Sequence, residues 1–213
     1  MHCDLSGKAM SASVIIVDDD DSVRADLTQL LRIRGYHTRQ FASAEACRDL
    51  LASAAWPACI VTELRLPGMD GLALQSALAS RFPFIVLTGY ADVPTAVATL
   101  LGGAIEFLEK PVMEERLLAA VDKGLALAQA THTYNQAAAE LQRKFGQLTP
   151  REQEVMSLVT TGMRNKEIAM HLGTAEKTIK VHRAHIMQKL NLESLAEMVR
   201  CADQLGMAPI RPT

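Results

Sequence analysis

The chain has 213 residues, of which 49% are hydrophobic and 22% charged. That balance fits a soluble globular protein with room for one large or two ordinary domains, and it excludes a disordered or fibrous chain. The net charge is −2, and no apolar run is long enough to span a bilayer, which argues against a membrane partner. The four cysteines, Cys3, Cys47, Cys59 and Cys201, have no CxxC spacing. A disulfide framework or zinc site is therefore not expected; reduced thiols in a cytoplasmic protein are, with Cys47 and Cys59 as core filler.

Residues 1–12 contain an acid and no apolar central block, so they read as a disordered lead rather than a secretory signal. Strand and helix signals then alternate. Ser13–Asp18 (SVIIVD) is a short apolar run ending in acids, and Asp21–Arg34 has apolar residues at helical spacing until Gly35 stops it. His37–Phe41 fits a strand and Ala44–Ala52 a helix, after which Trp56-Pro57 breaks the chain. Ala58–Thr62, Phe84–Thr88 and Ala104–Leu108 are further strand runs. The segments Gly71–Ser80, Val93–Leu101 and Val112–Leu127 are helical. Five mostly apolar strands alternating with five helices imply an α/β domain over 13–124, a five-stranded parallel (βα)5 sheet covered on both faces.

Residues 125–147 are rich in Ala and Gln and lack proline; they read as a helical linker that extends the fifth helix. From 148 to 213 the pattern is helical throughout. Thr149-Pro150-Arg151-Glu152 is a helix start, with Thr as N-cap, Pro at the first helical position and Glu closing a capping box. Asn165 is expected to cap a second helix and Thr174 to cap a third, Ala175–Leu190, with a fourth over Ser194–Leu205. An all-α domain of four helices, two of them joined by a short turn containing Gly173, carries the helix-turn-helix signature. Charge divides with the pattern. The first 124 residues hold 16 acids against 11 Lys/Arg, whereas 149–213 hold 7 against 9.

Ligand sites in open parallel sheets form at the carboxyl ends of the strands. Asp18 and Asp19, Glu63, Thr88 and Lys110 all fall at such ends. Any one alone would be a solvated polar residue; together, acids, a hydroxyl and a lysine suit a hard cation and phosphoryl oxygens. Residues 13–124 resemble a response-regulator receiver domain: VIIVDDDDSVR carries the acidic pair, LRLPGMDG the loop beyond the phosphoacceptor, and LTGYADVPTAVATLLGGAIEFLEKP is similar to the FixJ branch. The resemblance implies that Asp18 and Asp19 would hold Mg²⁺, that Thr88 is the switch hydroxyl and Lys110 the phosphate contact, that Phe107 is the switch aromatic, and that Lys110-Pro111 is cis.

The chain departs from the family at the phosphoacceptor, where Glu63 replaces Asp. The extra methylene displaces the carboxylate by about 1.5 Å, and an angstrom of misplacement can cost about a hundredfold in a positioned transfer. Thr62 is no substitute, because adjacent strand residues face opposite sides. Glu63 could mimic the phosphorylated state, pair with Lys110 and freeze an inactive form, or still accept phosphate slowly. The reading adopted is a phosphorylation-independent receiver, with the mimic placed first, for which no cofactor is required and a sensor kinase is compatible but unnecessary.

LTPREQEVMSLVTTGMRNKEIAMHLG and TAEKTIKVHRAHIMQKLNLESLAEMVR resemble the LuxR/FixJ (NarL-like) helix-turn-helix. The resemblance implies that Ala175–Leu190 is a recognition helix in the major groove of double-stranded DNA. Spacing places Lys177, Lys180, Val181 and Ala184 opposite the apolar stripe of Ile179, Ile186 and Leu190. Lys180 suits a guanine edge or a phosphate and Val181 a thymine methyl, whereas Ala184 offers thin readout. Arg183, His185, Lys189 and Arg164 are phosphate candidates; His182 reads as a structural histidine. A homodimer through the receiver or the last helix is the family expectation. The whole chain thus reads as a cytoplasmic bacterial transcription regulator and not an enzyme. The alternatives are a conventional phosphorelay regulator and a protein-interaction adaptor that does not read DNA.

Overall fold

The computed structural model describes residues 12–54 and 56–207. The expected lead lies, apart from Ala12, outside the described residues. The chain divides into two compact units, Met1–Thr133 and Tyr134–Thr213.

The first unit carries β1 (Ser13–Val17), α1 (Asp21–Ile33), β2 (His37–Phe41), α2 (Ala44–Ala52), β3 (Ala58–Thr62), α3 (Gly71–Leu78), β4 (Phe84–Thr88), α4 (Val93–Leu101) and β5 (Ala104–Glu109). The strands form one parallel sheet in the order β2-β1-β3-β4-β5. The chain winds one way from β1 to β2 and the other way from β3 to β5, so β1 and β3 meet where the direction reverses.

Strand alternation sorts the core into two layers. Ile15, Val17, Ile60 and Phe84 pack with Cys47, Leu51, Leu74 and Leu78 from α2 and α3. Val14, Ile16, Cys59, Val61, Ile85 and Leu87 point the other way, onto Leu27 and Leu31 of α1 and onto Leu117 and Val121 of α5 (Glu114–Phe145). This is why β1, β3 and β4 are apolar at every position: both faces are covered. Cys47 and Cys59 are buried fillers of this core.

Asp20 is the N-cap of α1, its side chain accepting from the Ser22 and Val23 N–H groups. The fifth helix runs without a break from Glu114 to Phe145, extended past Leu127 by the Ala-rich stretch as expected, because no proline or glycine pair interrupts it.

The second unit packs α6 (Pro150–Thr160), α7 (Asn165–His171), α8 (Glu176–Leu190) and α9 (Leu195–Gln204) around Val155, Met156, Leu158, Ile168, Ile179, Ile186, Leu190 and Met198. The Thr149–Glu152 capping box forms on both sides. The other two caps differ from expectation. Arg164, not Asn165, is the N-cap of α7, and Ala175, not Thr174, that of α8; neither makes a side-chain cap bond. The Asn165 side chain is instead taken by Arg183. Among the described residues no helix is long and apolar enough to cross a membrane.

Candidate functional site

The sheet builds the first site. Val17 pairs with Thr62, and the Glu63 N–H continues that ladder by donating to the Val17 carbonyl at 2.7 Å. The Lys110 N–H does the same to Thr88, at 2.8 Å. Residues just past the strand ends are thereby fixed at one level. There Lys110 Nζ lies between two carboxylates, 2.6 Å from Asp18 Oδ2 and 2.7 Å from Glu63 Oε2. Asp18 is 3% exposed and Glu63 8%, and Thr88 is fully buried. The second oxygen of Glu63, Oε1, accepts the backbone N–H groups of Leu64 at 2.7 Å and Arg65 at 3.2 Å. Burial pushes the Glu63 carboxyl up, but hydrogen bonds from Lys110, the Thr88 hydroxyl and the Arg65 N–H outweigh it and hold the group below its ordinary value. Burial likewise pulls the Lys110 ammonium down, and its bonds to Asp18 and Glu63 carry it above its ordinary value. Glu63 and Lys110 are therefore both charged at neutral pH.

Asp18 and Asp19, read as a metal-binding pair, part company. Asp19 is exposed, while both Asp18 oxygens are engaged, Oδ1 by the Asp20 N–H at 3.0 Å and Oδ2 by Lys110. Among the described residues no three His, Cys, Asp or Glu side chains gather into a set that could hold a metal ion. Magnesium needs near-octahedral oxygen donors; with both Asp18 oxygens taken by internal partners and Asp19 apart in solvent, the residues as placed do not fit it. Phe107 is half-buried on β5, and the Lys110-Pro111 bond is cis.

Two features of this pocket carry no sequence signal. The Arg65 guanidinium stacks on the Tyr90 ring, 4.4 Å from its centroid. Glu45, at the start of α2, accepts the Met69 N–H at 2.7 Å and so holds the loop that follows Glu63. Both are contacts between segments more than twenty residues apart, which periodicity cannot reveal.

The second site is α8. Ile179, Ile186 and Leu190 are buried, whereas Lys177, Lys180, Val181, Ala184 and His185 are exposed. Val181 is an apolar side chain displayed among lysines. Lys180 lies 3.1 Å from Glu176, one turn back. Both flanks of the helix are tied down. On one, Arg183 Nη1 donates to Asn165 Oδ1 of α7 at 2.7 Å. On the other, Lys189 Nζ donates to Glu152 Oε2 at 2.6 Å and to the Gln147 carbonyl at 3.3 Å. Glu152 is 3% exposed; burial pushes its carboxyl up, and Lys189 together with the Thr149 cap holds it below the ordinary value. Arg164 is exposed at the turn before α7. Of the expected phosphate contacts, Arg183 and Lys189 thus already have internal partners.

Residues 14–122 match the response regulator receiver domain family and residues 146–202 the luxR family of bacterial regulatory proteins. The chain is 39% identical over 212 residues to nodulation protein W of Bradyrhizobium diazoefficiens, covering 97% of this chain and 91% of that protein. It is 36% identical to the transcriptional regulatory protein FixJ of the same organism, with 91% and 96% covered. The solved structure of the response regulator StyR is similar with a TM-score of 0.80 at 40% identity, covering 91% of this chain and 99% of that one. By their names FixJ is a transcriptional regulatory protein and StyR a response regulator. The chain belongs to the response regulators in which a receiver domain is followed by a LuxR-family DNA-binding domain.

Proposed function

We propose that this protein is a sequence-specific, double-stranded-DNA-binding transcription regulator of the bacterial cytoplasm whose receiver does not depend on phosphate loading. The observation that carries the reading is the Glu63 carboxylate, which holds the Lys110 ammonium at 2.7 Å beside the buried Thr88 hydroxyl. By the family resemblance those are the partners that a phosphoryl group on this strand end would engage. Glu63 supplies them without a kinase, though with one charge and two oxygens against roughly −2 and three for a phosphoryl group.

Lys177, Lys180, Val181 and Ala184 form the base-reading face of α8, with Arg164 and His185 at the phosphates. An exposed apolar stripe on α4, Val93, Val97, Leu100 and Leu101, supports a homodimer through the receiver, since scattered apolar residues are ordinary but a stripe is an interaction surface.

One observation favours a second reading. Lys110 is shared between Glu63 and Asp18, so the same bridge could hold the receiver in its unstimulated form. Glu63→Ala separates the two. A mimic loses dimerisation and DNA affinity on truncation, a freeze gains both, and no change in either sinks the proposal. Incubation of the native protein with a small phosphodonor and Mg²⁺ checks independence: a stable phosphoprotein returns the chain to conventional phosphorelay control.

A further inference from the structure

His185 stands on the flank of α8 that faces the start of α6. Its Nδ1 lies 3.7 Å from Oε1 of Glu152. Glu152 is almost wholly buried and holds its negative charge, its other oxygen taken by Lys189 and by the Thr149 N–H. The imidazole is the opposite, 54% exposed as a side chain and one turn from Val181, on the surface assigned to DNA. One edge of the ring thus faces a fixed buried carboxylate and the other faces solvent.

We infer that His185 takes up a proton as the domain closes on DNA, its Nδ1–H turned to Glu152 and its Nε2–H to a backbone phosphate. The inference rests on the DNA-binding reading of α8. Neutral imidazole has one N–H and cannot donate on both edges; imidazolium donates on both. Free imidazoles titrate near 6.5, so a phosphate arriving on the open edge, opposite a carboxylate, favours the charged ring at neutral pH. The proton comes from the buffer, and the pair of contacts turns a hydrogen-bond-poor edge into a charge-assisted bridge from the protein interior to the DNA. The charged and titratable groups around His185 are Glu152 on α6 and, on its own helix, His182 and Lys189 one turn to either side. α7 packs on the far flank, where Arg183 meets Asn165. Lys189 is satisfied by Glu152, so its charge is set before DNA arrives and does not supply the uptake.

The test uses the full chain and a mixed-sequence duplex at low salt, because a phosphate contact needs no operator. Calorimetry in buffers of different ionisation enthalpy counts protons. Native protein takes up a proton near pH 7, and its affinity falls from pH 6 to pH 8 by about three- to tenfold more than that of His185→Gln, within the ceiling of about a hundredfold that one linked proton sets over two pH units. His182→Gln keeps the uptake. Binding with no uptake, or uptake that survives His185→Gln, overturns the inference and leaves the DNA reading standing. No binding to any duplex at either pH overturns both. His185 is exposed, and an unchanged thermal midpoint in His185→Gln keeps the comparison free of folding effects.

Discussion

At the end of β5 one ammonium serves two buried carboxylates. The alternation of strands and helices is enough to bring Asp18, Glu63, Thr88 and Lys110 to one edge, since each is the residue at or just past a strand end. What the spacing does not say is that Lys110 divides itself between Asp18 and Glu63, because side-chain reach across three strands is a matter of rotamers and not of order in the chain. The consequence is testable in Lys110→Met. Removing the ammonium leaves two acids facing one another without a counter-charge, at a cost of about 2–3 kcal/mol at pH 7, reduced from the usual figure for a broken buried pair by the partial exposure of Lys110. The sign with pH follows. In the native protein Glu63 titrates below its ordinary value, so its contribution is present above the ordinary carboxylate range and fades as pH falls through the folded value. In Lys110→Met protonation relieves the repulsion instead. The gap in urea midpoint between native and variant should therefore be widest near pH 7 and narrow toward pH 4. A gap that is constant with pH removes the electrostatic account of the pocket.

At the scale of elements, helix and strand identities follow from apolar period, but close approaches between elements do not. α5 lies on β3 so tightly that a Cβ built on Gly124 would stand 2.3 Å from Cys59 Sγ and 3.2 Å from Cys59 Cβ. A glycine inside a 32-residue helix looks like a weak point from sequence, because alanine is the better helix former by about 1 kcal/mol. The packing reverses that expectation. Gly124→Ala must push α5 off the sheet or drive Cys59 from its place, an overpacking cost of about 1–3 kcal/mol that exceeds the propensity gain. Cys59→Ala alone opens a small cavity and is also destabilising. The double variant fills that cavity with the new methyl and should recover more than half of the two losses summed, a coupling read from urea midpoints. Strict additivity would mean the two side chains do not meet. The caps fail legibility for a related reason. Thr149 caps with partners inside its own first turn, and the four-residue signature suffices. Asn165 is diverted by Arg183, eighteen residues away, and no local rule anticipates that competition.

Across the whole molecule the charge is divided, an acidic receiver and a mildly basic DNA-binding half, and the net −2 conceals it. Binding to DNA through so small a basic excess must rest on a few well-placed cations, and salt dependence counts them, since each phosphate neutralised contributes about −0.9 to the slope of log K against log salt. The sequence nominates Arg164, Arg183, His185 and Lys189 on equal terms; the structure does not treat them equally. Lys189 is hydrogen-bonded to Glu152 and the Gln147 carbonyl, joining α8 to the start of α6. Its removal strands a buried carboxylate, so Lys189→Met should lower the urea midpoint by an amount equal to about 2–3 kcal/mol while leaving the salt slope of the folded protein nearly unchanged. Lys177 and Arg164 are exposed and have no buried acid to abandon. Lys177→Ala or Arg164→Ala should leave stability within about 0.5 kcal/mol, weaken DNA binding, and flatten the slope by about one if the side chain meets a phosphate. A salt titration of the three variants beside the native protein, each with its denaturation curve, separates the cations that hold the reading helix in place from those that hold the DNA. A slope lost in Lys189→Met at full stability would reverse that assignment, making the Glu152 bridge a resting place that Lys189 leaves when the duplex arrives.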